Sequence, residues 1–287
     1  MKFSYVQIGA KDYKALADFY RKALDFTDSA DSFWLGGKEG CVLSAPGFPN
    51  GDAPVFGFFN ATEGAARKIN DVGYALICFE TKDVKAAVKR LVANGGSVIS
   101  TMSNPQIHPC VYCADPEGNI VEFHIPFPAK GTFPEYMTTA GSLLHLSHKK
   151  ALKFIHVNII TDNWENLCAF YRDAAGCVNS GKLKDHQGNY KAQVIGIPDV
   201  HVVGQHVLLK GFYDNYPTLE IFTYSVPGIQ EPQGDSALGI DLVGYTSDDL
   251  AEDIRAIENA GGSLVSDNGE RAELLDAQND CIVLLKK

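Results

Sequence analysis

The chain has 287 residues, 45% of them hydrophobic and 21% charged, which is too apolar for a disordered protein and long enough for two cores. With 35 acidic against 25 basic side chains it carries a net charge of −10, so an extended nucleic-acid or anionic membrane surface is a poor fit and a small-molecule partner is expected. No run approaches the roughly 18 apolar residues of a membrane span, and the 7 cysteines are too scattered to form a disulfide framework in a chain of this length.

The opening residues, "MKFSYVQIGAKDYKALADFY", pass from a strand-like run straight into an amphipathic helix, with no signal-peptide core. A cytoplasmic location with reduced thiols follows as an expectation. The helical segment "ADFYRKALDF" (residues 17–26) returns as "CAFYRDAAGC" (168–177). The segment "ETKDVKAAVKRLVANGGSVIS" (80–100) returns as "TSDDLAEDIRAIENAGGSLVS" (246–266), and both of these close on Gly-Gly. A β-rich run precedes each helix in turn: "FSYVQIGA", "GYALICFE", "KFIHVNII" and "LGIDLVGY". Three short runs broken by Gly, Pro, Asn or Asp follow each helix, which predicts βαβββ four times over. Asp12, Asp83, Asn163 and Asp248 stand where helix N-caps are needed.

The fold class expected is therefore α+β, with curved mixed sheets each built from two modules. Residues 1–126 form one two-module domain, 127–150 a proline-bearing linker without period, and 151–287 a second two-module domain.

Three motifs carry a family resemblance: the two "FYR" helices, the hairpin "YCADPEGNIVEFH" (112–124), and "GIPDVHVVGQHVLLKGFYDNYPTLEIFTYS" (196–225). The chain resembles a tandem, glyoxalase I-like member of the vicinal oxygen chelate superfamily, which spans glyoxalases, epimerases, bleomycin resistance proteins and extradiol dioxygenases. The resemblance covers all but the linker. It implies a ligand on the first strand of each module, usually His, and another on the last strand, usually Glu. In the first module these positions hold Tyr5 and Gly57, in the second Leu76 and Glu122, in the third His156 and Glu220, and in the fourth Leu242 and Val283.

Module pairing then decides what survives. If each half closes on itself, Glu122 stands alone and His156 has only Glu220. The crossed pairing known in glyoxalase I would unite Glu122, His156 and Glu220 around the missing ligand at Leu76, and would leave the other pair of modules with no ligand. One imidazole and two carboxylates suit a divalent ion such as Zn, Ni, Fe, Mn or Co. His124, two residues beyond Glu122 and on the same strand face, is a further ligand or a supporting partner. Tyr5 and Tyr74 are candidates for substrate hydrogen bonds, with a core role as the bland alternative. The bland alternative for His156 is likewise a satisfied core histidine. Cys110 and Cys113 should point to opposite strand faces, and of His201 and His206 at most one can line a cavity.

The resemblance implies a metal-dependent lyase or isomerase of the glyoxalase or epimerase type, acting on a small oxygenated substrate, in which the ion stabilises an oxyanion such as an enediolate and Glu122, alone or together with Glu220, moves the proton. Two alternatives stay open. One is a metal-free binding protein of the bleomycin-resistance type, its groove lined by Trp34, Phe56 and Phe58. The other is a non-haem metal dioxygenase. Either a monomer or a homodimer is compatible with the tandem arrangement.

Overall fold

A computed structural model describes residues 1–48, 53–62, 64, 65, 67–105, 108–125, 151–179, 183–209, 217–229 and 236–287. The first module comprises β1 (Lys2–Ala10), α1 (Tyr13–Leu24), β2 (Thr27–Asp28), a 3-10 turn (Ser32–Leu35), β3 (Gly40–Ser44) and β4 (Val55–Asn60). The second comprises β5 (Gly73–Glu80), α2 (Val84–Ala93), β6 (Ser97–Val98), β7 (Cys110–Ala114) and β8 (Ile120–His124). The third comprises β9 (Lys153–Ile160), α3 (Trp164–Ala175), β10 (Val178–Asn179), β11 (Lys184–His186), α4 (Asn189–Ile195), β12 (Val202–Leu208) and β13 (Thr218–Tyr224). The fourth comprises β14 (Gly239–Ser247), α5 (Leu250–Asn259), β15 (Ser263–Asp267), β16 (Arg271–Leu275) and β17 (Cys281–Lys286). The expected linker, 127–150, lies outside the described residues.

The helix starts follow from their caps. The Asp12 carboxylate accepts from the amides of Lys14 and Ala15, and Asp83 and Asn163 each accept from the amide three residues on. In α5 the cap is Asp249 rather than the expected Asp248, and its carboxylate accepts from the Glu252 amide. Two adjacent aspartates cannot be ranked from sequence, and the hydrogen bond selects the second. The helix α4 was not expected at all. It interrupts the strand runs of the third module and ends at Gly196, whose φ of +82° suits glycine.

Within each module the first and last strands pair in parallel: β1 with β4, β5 with β8, β9 with β13 and β14 with β17. Between modules the first strands pair antiparallel, and they do so across the two halves, β1 with β14 and β5 with β9. The pairing is crossed. Among the described residues one eight-stranded sheet holds modules one and four, and one nine-stranded sheet holds modules two and three.

A single large core joins the sheets. Phe154 of β9 meets Phe3 and Phe56 of the other sheet at ring separations of 6.0 and 5.0 Å, and Phe79 of its own sheet at 5.9 Å. Strand alternation sends Ile77, Phe79, Val121, Phe123 and Val157 into this core, so the residues between them face the other way. The recurrent "FYR" tyrosines serve the same junction. Tyr20 of the first module donates to Asp115 in the hairpin of the second at 3.2 Å, and Tyr171 of the third donates to Asp276 in the hairpin of the fourth at 3.2 Å. Each clamp ties a helix of one sheet to a hairpin of the other.

Candidate metal centre

On the outward face of the nine-stranded sheet the strand registers lay out two rows of side chains. In one row Tyr112 is opposite Glu122, Glu122 is beside Cys78, and Cys78 is opposite His156. In the other, His206 is opposite Glu220, Glu220 is beside Asn158, and Asn158 is opposite Leu76. An approximate two-fold relates the rows, matching Tyr112 to His206, Glu122 to Glu220, Cys78 to Asn158 and His156 to Leu76. Leu76 is thus the pseudo-symmetric mate of His156, buried at 0% exposure in the apolar cluster beside the site.

The three expected ligands converge. His156 Nε2 lies 3.8 Å from Glu122 Oε2 and 3.4 Å from Glu220 Oε2, and all three side chains are buried. Among the described residues, His156 Nε2 and Glu122 Oε2 are sealed from solvent without a hydrogen-bond partner, as is the amide of Asn158. Stranding such groups in a dry interior is costly. Here they stand on the floor of a cavity of about 610 Å³, in the size range of small-molecule sites.

Charge reinforces the convergence. Burial alone would raise the Glu122 carboxyl, yet the His156 and His124 imidazoles beside it hold it down to about 2. Glu220 is held well below the ordinary carboxylate range despite its burial, by Lys184, His206 and His156. Burial lowers His156, but the two carboxylates outweigh it and raise the imidazole above its usual value. Two anionic carboxylates therefore clamp a cationic or cation-seeking imidazole.

Sequence reasoning missed Cys78 and Lys184 here, and left His206 as one of two histidines of which at most one could line a cavity. The Cys78 thiol joins Glu122 and His156 in a group whose ligand atoms all lie within 4.8 Å of one another. Its position two residues after Leu76, on the same strand face, was a usable signal. His206 Nε2 sits 3.2 Å from Glu220 Oε1, and burial together with the nearby Lys184 pushes its pKa well below the usual value. The Lys184 ammonium also contacts Glu220 Oε1. No sequence spacing announces either contact, because both depend on the β11–β12–β13 register. The remaining expectations separate by face. Cys110 Sγ approaches Glu122 Oε1 at 3.1 Å, while Cys113 lies in the core. His124 lines the cavity, its Nδ1 2.6 Å from the Ile125 carbonyl.

Tyr5 and Tyr74 do not reach this cavity. Tyr74 donates across the core to the Cys281 carbonyl at 3.0 Å. Tyr5 belongs to the other sheet, where it donates to Gln7 at 2.9 Å and stacks on Trp34 at 4.8 Å. There the equivalent cleft is packed solid by Tyr5, Trp34, Leu242 and Val283. A Cβ on Gly57 would fall 2.0 Å from the Tyr5 hydroxyl, and one on Gly244 2.6 Å from the Trp34 ring. The aromatic groove expected from Trp34, Phe56 and Phe58 is absent among the described residues, because Phe56 and Phe58 are in the main core and Trp34 is the plug. That groove was one alternative reading, and the packing removes its lining.

Residues 2–123 match the family model of the Glyoxalase/Bleomycin resistance protein/Dioxygenase superfamily. Glyoxalase I from Zea mays shares the fold at a TM-score of 0.64 and 14% identity, covering 99% of this chain and 92% of that one. A putative dioxygenase from Bacillus subtilis does so at a TM-score of 0.60 and 14% identity, covering 100% of this chain and 85% of that one. No curated protein matches the sequence. Among the described residues no helix is long and apolar enough to cross a membrane.

Proposed function

From a chain that carries the glyoxalase I-like fold throughout and the superfamily signature over residues 2–123, we propose a divalent-metal-dependent lyase or isomerase that acts on a small oxygenated substrate. The observation that carries this reading is the buried convergence of His156 Nε2 and Glu122 Oε2, both without hydrogen-bond partners among the described residues, with Glu220 Oε2 3.4 Å from the same nitrogen. An imidazole nitrogen and two carboxylates are a donor set that divalent ions accept, and Cys78 offers a fourth donor in place of the one lost at Leu76. A divalent ion held there supplies a Lewis acid for adjacent substrate oxygens and for the negative charge that develops on them.

The chain's own groups divide the remaining work. Glu122 is the proton acceptor. Its Oε1 accepts from the neutral Cys110 thiol, whereas Glu220 is held by Lys184, His206 and His156 and is the poorer base. Burial of the whole floor excludes water from the proton's path. A group that clamps a proton on His156 also exchanges it for an ion, so ion uptake releases protons.

A second reading has one observation behind it. The Lys184 ammonium on Glu220 is itself a cation at the site, as a metal-free binding protein would require. Metal content of the purified protein by plasma mass spectrometry, beside His156→Ala and Glu122→Gln, tests the two. About one ion per chain in wild type, lost in both variants, is the expected result. Wild type that stays without ion after reconstitution overturns the metal-dependent reading and leaves the binding protein.

A further inference from the structure

The walls of the same cavity carry information that the metal centre does not use. The segment β11–α4 is an insertion that the other three modules lack among the described residues, and it closes one side of the cavity with Lys184, His186, Tyr190, Lys191 and Ile195. Lys184 is committed to Glu220. Of the three acids that line the cavity, Glu122 and Glu220 face His156, and Asp185 faces His201 at 2.7 Å. Among the described residues none pairs with the half-buried Lys191. Lys191 lines the cavity, near enough to favour charge on the Cys110 thiol and to disfavour it on His186. Tyr224 lines the same cavity, is 5% exposed, and its hydroxyl has no partner among the described residues. Tyr112, Phe222, Ile195 and Val202 give the cavity aromatic and apolar surface.

We propose that the substrate is a small organic carboxylate with a flat apolar body, its carboxylate received by Lys191 and its body held against Tyr112, Phe222 and Tyr224. An ammonium with no acid partner among the described residues, in a cavity whose lining is largely aromatic and apolar, selects an anion, because a neutral ligand would leave it desolvated without a partner. Flat aromatic walls select a flat body, with the Tyr224 hydroxyl left to hydrogen-bond a polar substituent on it. This assignment rests on the proposed function only in placing the substrate in this cavity, and it needs no ion to be bound.

Calorimetric titration of the full chain with mandelate and with its neutral amide, mandelamide, tests it. The two probes share a shape and differ in charge. Both are titrated into chelator-treated protein, so that a carboxylate's own affinity for a metal cannot contribute. Wild type should bind mandelate at least about ten-fold more tightly than mandelamide. Lys191→Met should erase that preference by weakening mandelate far more than mandelamide, and Lys191→Arg should retain it. Equal binding of the two probes, binding of neither, or a preference that persists in Lys191→Met would each overturn the assignment. A preference that is present in a protein unable to take up metal would sink the metal-dependent reading alone.

Discussion

Replacing Lys184 by methionine separates the two readings of the site most sharply. The Lys184 side chain is 14% exposed and that of Glu220 5% exposed, so the substitution removes one partner of a nearly buried ion pair. Such a loss costs about 3–5 kcal/mol when nothing else compensates. Glu220 keeps His156 at 3.4 Å and His206 at 3.2 Å, which places the expected cost at the lower end, about 3 kcal/mol. An ion at the centre supplies the missing positive charge, so the loaded protein should lose much less. By closure of the thermodynamic cycle the difference appears as ion affinity, and a difference of about 3 kcal/mol corresponds to roughly 100-fold tighter binding. Urea denaturation of chelator-treated and zinc-loaded protein, together with zinc competition against a fluorescent chelator, measures both sides of the cycle. The reasoning fails if Lys184→Met binds zinc no more tightly than wild type, or if it loses the same stability with and without the ion.

Three further outcomes follow from the geometry. Cys78→Ser should weaken zinc binding by about ten-fold or more and leave manganese nearly unchanged, because a thiolate contributes to borderline ions and little to hard ones; the same competition assay reads both. Tyr20→Phe and Tyr171→Phe should each cost about 1–2 kcal/mol in urea denaturation by removing a buried hydrogen bond to a carboxyl group, and the double variant should show the sum, since the clamps share no partner. Lys153 is lowered from 10.5 to about 8 by burial, against the opposing pull of Glu80. The unfolded chain therefore binds more protons than the folded one between those values, and this group makes stability rise with pH from about 8 to 10.5. Lys153→Met should remove that rise, about 3 kcal/mol in full, from a stability curve measured across the interval.

The repeats were legible because strand and helix periods survive divergence of everything else. "KFIHVNII" and "GYALICFE" each announce a buried strand before a capped helix, and the two "FYR" segments announce equivalent helices. The positions of Glu122, His156 and Glu220 were readable by counting within modules. Whether they met was not readable, because the crossed pairing of β5 with β9 is a contact between halves that leaves no local trace. His206 and Lys184 were hidden for a related reason. Their relation to Glu220 is set by the register of β11 on β12 and of β12 on β13, which no local pattern in the sequence announces. Tyr5 was misleading for the opposite reason. It stands where the resemblance implies a ligand, but its module pairs with one that holds Leu242 and Val283 at the corresponding positions, and Tyr5 there stacks on Trp34.

The two rows of the surviving site differ in chemical character, and this bears on what the cavity can hold. The row of Glu122, Cys78 and His156 holds Glu122 Oε2 and His156 Nε2 without hydrogen-bond partners among the described residues, whereas Glu220 in the other row is already balanced by Lys184 and His206. An ion would therefore be gripped mainly from the first row, with Glu220 as a bridge to the second. Two carboxylates, the Cys78 thiolate that ion binding calls for and one ammonium would leave two negative charges at the floor, which a divalent ion would cancel. With the floor neutral, Lys191 on the wall supplies the positive charge that attracts an anion, and none of the three acids lining the cavity pairs with it. In the proposed metal centre, leucine rather than histidine at position 76 and the Lys184 ammonium on Glu220 would both weaken ion binding and would leave coordination positions for the oxygens of an anionic substrate.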